Sequence, residues 1–212
     1  VIFYHADIKF FQGGWLGVDI FFVISGYLIS NNILYALQNN NFSLTNFYLK
    51  RIRRLIPALL LTLFISLFFG FALLSPKAMQ EFLNSLFSSL FFVSNYYFQN
   101  FDFYAAESAK FIPLLHLWSL SIEEQFYIIF PVICIFLFKN KRKYFLLAII
   151  FLILISVFLN ILNNDPLKFY KIQFRAWELL LGTLVMFINQ KIKVKNFEIF
   201  GLSLIVFSYI IF

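Results

Sequence analysis

Apolar residues fill this chain in long uncharged runs, and polar residues gather at the ends of those runs. The runs are Leu16–Leu34, Leu55–Leu74, Ile122–Phe138, Phe145–Leu162, Phe174–Asn189 and Phe197–Phe212. Each is near the ~20 residues that carry an α-helix across a bilayer. The pattern therefore predicts an all-α fold, a polytopic transmembrane helix bundle. A seventh run, Phe82–Phe98, is interrupted by Asn84, Ser85, Ser88, Ser89, Ser94 and Asn95. It suits a span, a re-entrant helix or an interfacial one. Val1–Tyr4 reads as the tail of a further span, and the chain stops inside an apolar run. The expectation is one transmembrane domain over residues 1–212, truncated at both ends and inactive as a fragment.

Composition strengthens this picture. The chain is 62% hydrophobic and 13% charged, with a mean hydropathy of +0.85. A soluble domain carries about 25% charged residues. The net charge of +7 could indicate nucleic acid. Its distribution argues against that, because the basic residues stand in short clusters between apolar runs. Lys50-Arg51-Arg53-Arg54, Lys139-Lys141-Arg142-Lys143 and Lys191-Lys193-Lys195 form three such clusters. Placing all three on the cytoplasmic side gives a consistent weave. Cys134 is the only cysteine, so no internal disulfide forms.

That weave puts His5, Asp7, Asp19, His116, Glu123, Glu124, Arg175 and Glu178 toward the outer side, opposite a basic inner mouth. Polar groups inside a membrane are costly and tend to mark chemistry or a polar pathway. His5 and Asp19 flank a glycine-rich turn and would lie at similar depth. An imidazole beside a carboxylate is a general-base arrangement. The alternative is a histidine in headgroup water and an aspartate capping a helix. The four cations from Lys50 to Arg54 suit a topology signal, anionic lipid or the grip of a pyrophosphate.

The stretch 113–131 reads PLLHLWSLSIEEQFYIIFP. Ser121 to Glu124 has capping-box spacing, which accounts for Glu124 as a helix cap. Glu123 is the better functional candidate, since it shares a helical face with Tyr127. His116 and Trp118 are expected to line the same cavity, although Trp118 equally suits an interfacial belt. Arg175 and Glu178, at i and i+3, suit a structural ion pair. No set of residues reads as a metal site.

Five stretches together resemble membrane acyltransferase family 3, which includes O-antigen and peptidoglycan O-acetylases. They are the His5 region, GGWLGVDIFFVISGYLIS at 13–30, FYLKRIRRLIP at 47–57, residues 113–131, and RAWELLLG at 175–182. The resemblance implies an acyl-CoA donor, typically acetyl-CoA, with no resident cofactor. It implies a glycan or lipid-linked saccharide acceptor, and a place in the bacterial inner membrane among its lipids. His5 would be catalytic, with Asp19 and Glu123 beside it. Arg51 and Arg54 match the family's Arg-x-x-Arg pattern, and Arg53 joins them in donor handling. His116, Trp118 and Tyr127 would contact substrate. The family's basic residue upstream of the histidine has no counterpart here. The competing reading is a polysaccharide or lipid transporter without covalent chemistry.

Overall fold

A computed structural model describes residues 13–14, 16–100, 112–141 and 144–191. His5, Asp7 and the run Phe197–Phe212 lie outside the described residues. The described elements are α1 (Leu16–Gln38), α2 (Leu44–Leu73), α3 (Pro76–Leu90), α4 (Ser94–Gln99), α5 (Leu117–Lys141), α6 (Phe145–Leu162) and α7 (Ile172–Lys191). A 3₁₀ turn, Pro166–Tyr170, precedes α7. Among the described residues there is no strand, so the all-α expectation holds. Among the described residues four helices are long and apolar enough to cross a membrane: α1, α2, the first 21 residues of α5, and α6. The chain is a membrane protein.

Local chemistry sets the helix ends. α1 stops in Asn39-Asn40-Asn41, where Asn40 takes the left-handed conformation (φ 52°) that asparagine tolerates. The Asn41 amide then donates to the Ala36 carbonyl and the Asn40 amide to the Leu37 carbonyl, closing a Schellman turn. Ser43 caps α2 by accepting from the Asn46 amide at 3.4 Å. This cap starts α2 at Leu44 rather than at Leu55. The whole basic cluster is therefore helical, ahead of Pro57 within the same helix. Likewise α5 starts at Leu117 rather than at Ile122.

The run Phe82–Phe98 is a broken helix. Its first part belongs to α3, whose 15 residues reach about 22 Å, short of a bilayer core. Phe92 then adopts φ 55°, a strained conformation for an aromatic residue. Gln125 of α5 holds that break by donating to the Phe92 carbonyl at 2.9 Å. Ser94 and Ser121 share a hydrogen bond of 2.7 Å. Asn95 donates to the Tyr170 carbonyl at 3.0 Å. The polar residues that weakened this run as a span are the ones that pin it to α5.

α7 corresponds to the expected span Phe174–Asn189. It is a 20-residue helix, but Arg175 and Glu178 leave it outside the four apolar helices. Its most extensive packing is against α1, and then against α6. The α1–α7 contact is backbone against backbone. A Cβ on Gly26 would lie 1.9 Å from the Leu179 carbonyl oxygen, and one on Gly182 would lie 2.0 Å from that of Val23. Small residues that let helices touch are the usual glue of membrane bundles, because apolar burial gains little in lipid. One turn further, Ser30 and Thr183 share a buried hydrogen bond of 2.6 Å. By contrast, α2 turns exposed Phe64, Phe68, Phe71 and Leu73 outward, as a lipid-facing helix does.

Replacing Gly26 or Gly182 with alanine should force α1 and α7 apart, because the clash is with backbone and cannot be relieved by a rotamer. The expected loss is about 1–3 kcal/mol for either variant. Thermal unfolding of the detergent-purified protein checks it, and an unchanged Tm would contradict the close crossing.

Candidate active site

The α1–α7 crossing brings Asp19, near the start of α1, to Arg175 in the first turn of α7. An Arg175 Nη2 hydrogen bond and ion pair joins them across 156 positions of sequence. Arg175 Nη1 also stands 3.1 Å from Glu178 Oε1, the i, i+3 ion pair expected from the spacing. The Glu178 side chain is 1% exposed and the Arg175 side chain 10% exposed. Burying these charges is tolerable only because they compensate one another. Aromatic faces complete the enclosure. The guanidinium carbon lies 4.9 Å from the Phe169 ring centroid, 5.5 Å from that of Phe22 and 6.0 Å from that of Trp118.

Below this cluster a cavity of about 830 Å³ opens between α1, α2 and α5. On α1 its lining runs from Phe21 through Ser25 and Asn32, and it ends at Asn41 and Ser43 in the turn to α2. From Phe21 to the end of α1 is about 25 Å at 1.5 Å per residue. The cavity thus follows most of the helix. One wall carries Lys50, Arg51 and Arg54 from α2, and the other carries Glu123, Glu124 and Tyr127 from α5. Phe21, Ile24 and Leu28 supply an apolar face.

The two charged walls meet. Arg51 stacks on Tyr127, with its guanidinium carbon 3.9 Å from the ring centroid. The Tyr127 hydroxyl donates to Glu123 Oε1 in a short hydrogen bond. Glu123 and Tyr127 thus share a helical face, as their i, i+4 spacing predicts. Ser25 of α1 is also within hydrogen-bonding reach of the Tyr127 hydroxyl. Tyr48 of α2 donates to the Ile128 carbonyl at 2.8 Å, tying the two helices together beside the cavity.

This geometry corrects the expectation that the basic cluster and the carboxylates stand at opposite ends of the bundle. Both relevant helices start earlier than their apolar runs. Arg51 therefore sits two turns inside α2. Glu123 sits nearly two turns inside α5. Each shift closes the gap, and the long arginine side chain does the rest.

The capping-box reading of Glu124 is also overturned. Ser121 lies inside α5, not ahead of it, and its hydroxyl is engaged with Ser94. Glu124 is 8% exposed and lines the cavity with Glu123. Its Oε1 atom has no hydrogen-bond partner among the described residues.

The other expected residues divide. Arg51 and Arg54, three apart and hence on one helical face, both line the cavity. Arg53 is exposed and does not line it. His116 is exposed in the turn before α5 and is not part of the cavity wall. Trp118 is buried instead against Phe22, Phe169 and Tyr170, with ring centroids 6.3, 4.3 and 5.5 Å away. Asp19 is anchored by Arg175, a partnership no local spacing announces. Ser25, Asn32 and Asn46 line the cavity without having been singled out, and Lys50 of the basic cluster joins them. Their signal was helical register with Phe21, Leu28 and Arg54, readable only once α1 and α2 are known to face each other.

The architecture is that of a membrane helix bundle with a deep, two-signed cavity. Residues 1–212 match the acyltransferase domain family, acyltransferase 3, and the chain belongs to that family. It is 36% identical over 206 residues to a Staphylococcus aureus (strain COL) protein named "Putative O-acetyltransferase", covering 92% of this chain and 34% of that one. It is 35% identical over 197 residues to O-acetyltransferase OatA of Staphylococcus aureus (strain NCTC 8325), covering 89% of this chain and 32% of OatA. The chain therefore spans about a third of the length of the curated relatives it matches. No solved structure matches it.

Arg175→Ala should leave Asp19 and Glu178 without their shared cation. Stranding buried charge of this kind costs about 3–5 kcal/mol. Adding Glu178→Gln should recover part of the lost Tm, since it removes the deepest stranded carboxylate. A single variant as stable as the parent would show that the triad does not hold α1 to α7.

Proposed function

We propose that this chain is the membrane domain of an O-acyltransferase of the bacterial inner membrane. It moves an acyl group, with acetyl the first candidate, from acyl-CoA to a hydroxyl of a cell-surface glycan or lipid-linked sugar. The observation that carries this reading is the cavity along α1. It has a basic, polar end at Lys50, Arg51 and Arg54 and an apolar stretch at Phe21, Ile24 and Leu28. A transporter without covalent chemistry has no comparable support, because the chain belongs to an acyltransferase family.

In this reading Arg51 and Arg54 take the donor's phosphates. Their shared helical face suits a pyrophosphate, and planar guanidinium groups bind phosphate oxygens in pairs. The pantetheine arm lies along α1, within a volume typical of small-molecule sites. The acceptor hydroxyl oxygen attacks the thioester carbonyl carbon. A new C–O ester bond forms, the C–S bond breaks, and CoA leaves as the thiolate. His5 takes the hydroxyl proton and passes it to the departing sulfur. An imidazole with a pKa near 6.5 suits that exchange at neutral pH. Asp19, anchored by Arg175, orients the imidazole. Glu123, joined to Arg51 through Tyr127, borders the donor-phosphate end of the cavity.

In the full-length protein, His5→Ala should abolish transfer of radiolabelled acetyl from acetyl-CoA while membrane insertion is retained. Normal transfer would remove His5 from the chemistry. Arg51→Ala combined with Arg54→Ala should weaken acetyl-CoA binding by tenfold or more, at about 1.5–3 kcal/mol per charged hydrogen bond lost. Equal affinity would leave these arginines as topology signals.

A further inference from the structure

Arg175 and Arg51 are held in different ways. Arg175 engages Glu178 through Nη1 and Asp19 through Nη2, so two of its nitrogens are already taken. Arg51 is held by its face. Its guanidinium carbon lies 3.9 Å from the Tyr127 ring centroid, and among the described residues it makes no ion pair. A guanidinium carries its five N–H donors around its rim, in the plane of the group. Stacking on a ring therefore orients that plane and leaves the donors free for a ligand.

The ring that does this is itself fixed. Tyr127 is 2% exposed within the apolar core, and its hydroxyl donates to Glu123 Oε1. One turn before Arg51, the Tyr48 hydroxyl donates to the Ile128 carbonyl at 2.8 Å, which holds the α2 backbone to α5 at the same level. Tyr48 and Arg51, at i and i+3, thus meet neighbouring residues of α5 from one face of α2. Arg51 is half-buried in this arrangement, whereas Arg54, on the same cavity wall, is exposed.

We propose that Tyr127 is a positioning residue of the donor site: its ring sets the plane of the Arg51 guanidinium before the donor arrives and so raises affinity for the donor's phosphates. Tyr127 serves the substrate through the arginine rather than by contact. This inference rests on the acyl-CoA reading above. A long side chain loses rotamer freedom when it grips phosphate, and one already held loses less. A fixed plane also suits paired N–H bonds to phosphate oxygens, whose geometry is planar.

The test is a double-mutant cycle in the full-length protein in nanodiscs, read by acetyl-CoA binding and by steady-state transfer. Tyr127→Leu removes the ring and keeps apolar bulk. It should weaken acetyl-CoA binding about tenfold, in keeping with a partly desolvated cation–π contact. KM for acetyl-CoA should rise by a similar factor while kcat moves far less. Tyr127→Phe keeps the ring and loses only the bond to Glu123, so it should lose far less affinity than Tyr127→Leu. In an Arg51→Ala background, Tyr127→Leu should cost no further affinity. In an Arg54→Ala background it should cost its full factor. Where Tyr127→Leu expresses poorly, Tyr127→Met serves in its place. Unchanged binding by the ringless variant, an equal loss in Tyr127→Phe, or a loss that persists undiminished with Arg51→Ala would overturn the positioning role alone. Failure of the parent protein to bind acetyl-CoA would overturn the acyl-CoA reading and this inference with it.

Discussion

The contact between α1 and α7 governs the arrangement of everything else. Lipid offers little hydrophobic gain for pressing two helices together, so association relies on close packing and on polar bonds. Gly26 and Gly182 provide the closeness, each lying where any side chain would strike the facing backbone. The Ser30–Thr183 hydrogen bond fixes the register at one level. The Asp19–Arg175 ion pair fixes it at another. With those helices joined, the opposite face of α1 is free to form the long wall of the cavity.

A second constraint follows from the low dielectric of the surroundings. Charges there must be compensated nearby, and two clusters satisfy this in different ways. Around Arg175 compensation is tight, with two carboxylates and three aromatic faces about a single guanidinium. Around Arg51 it is loose: a ring face and a carboxylate reached through that ring. The tight cluster suits structural support. The loose cluster borders open volume and can exchange its internal partners for a ligand's.

Helix existence and apolar character were legible in the runs themselves, because spans of this length have no other stable form in a bilayer. Helix starts were not. Ser43 and the triple asparagine before it are ordinary turn residues, and nothing local says that the basic cluster lies inside the helix they open. Ser121-Ile122-Glu123-Glu124 misled for a related reason. Its spacing is that of a cap, but the Ser121 hydroxyl is claimed by Ser94 in a helix 27 positions away. Arg51, Arg54, Glu123 and Tyr127 were singled out by residue type and spacing, and all four border one cavity. Arg53, His116 and Trp118 stood equally close in sequence and do not border it, since helical phase turns Arg53 and Trp118 elsewhere and His116 lies in the turn before α5.

The sequence alone therefore determined the class of protein, the rough placement of its long apolar helices, and the family resemblance. Those properties depend on composition and on spacing within single segments. Tertiary structure decided which polar groups meet. Asp19 finds Arg175 across 156 positions because two glycines let their helices touch. Arg51 finds Tyr127 because two helices begin earlier than their apolar runs. Pairings of that kind are set by helix–helix distance and depth in the bundle, quantities that no single segment contains.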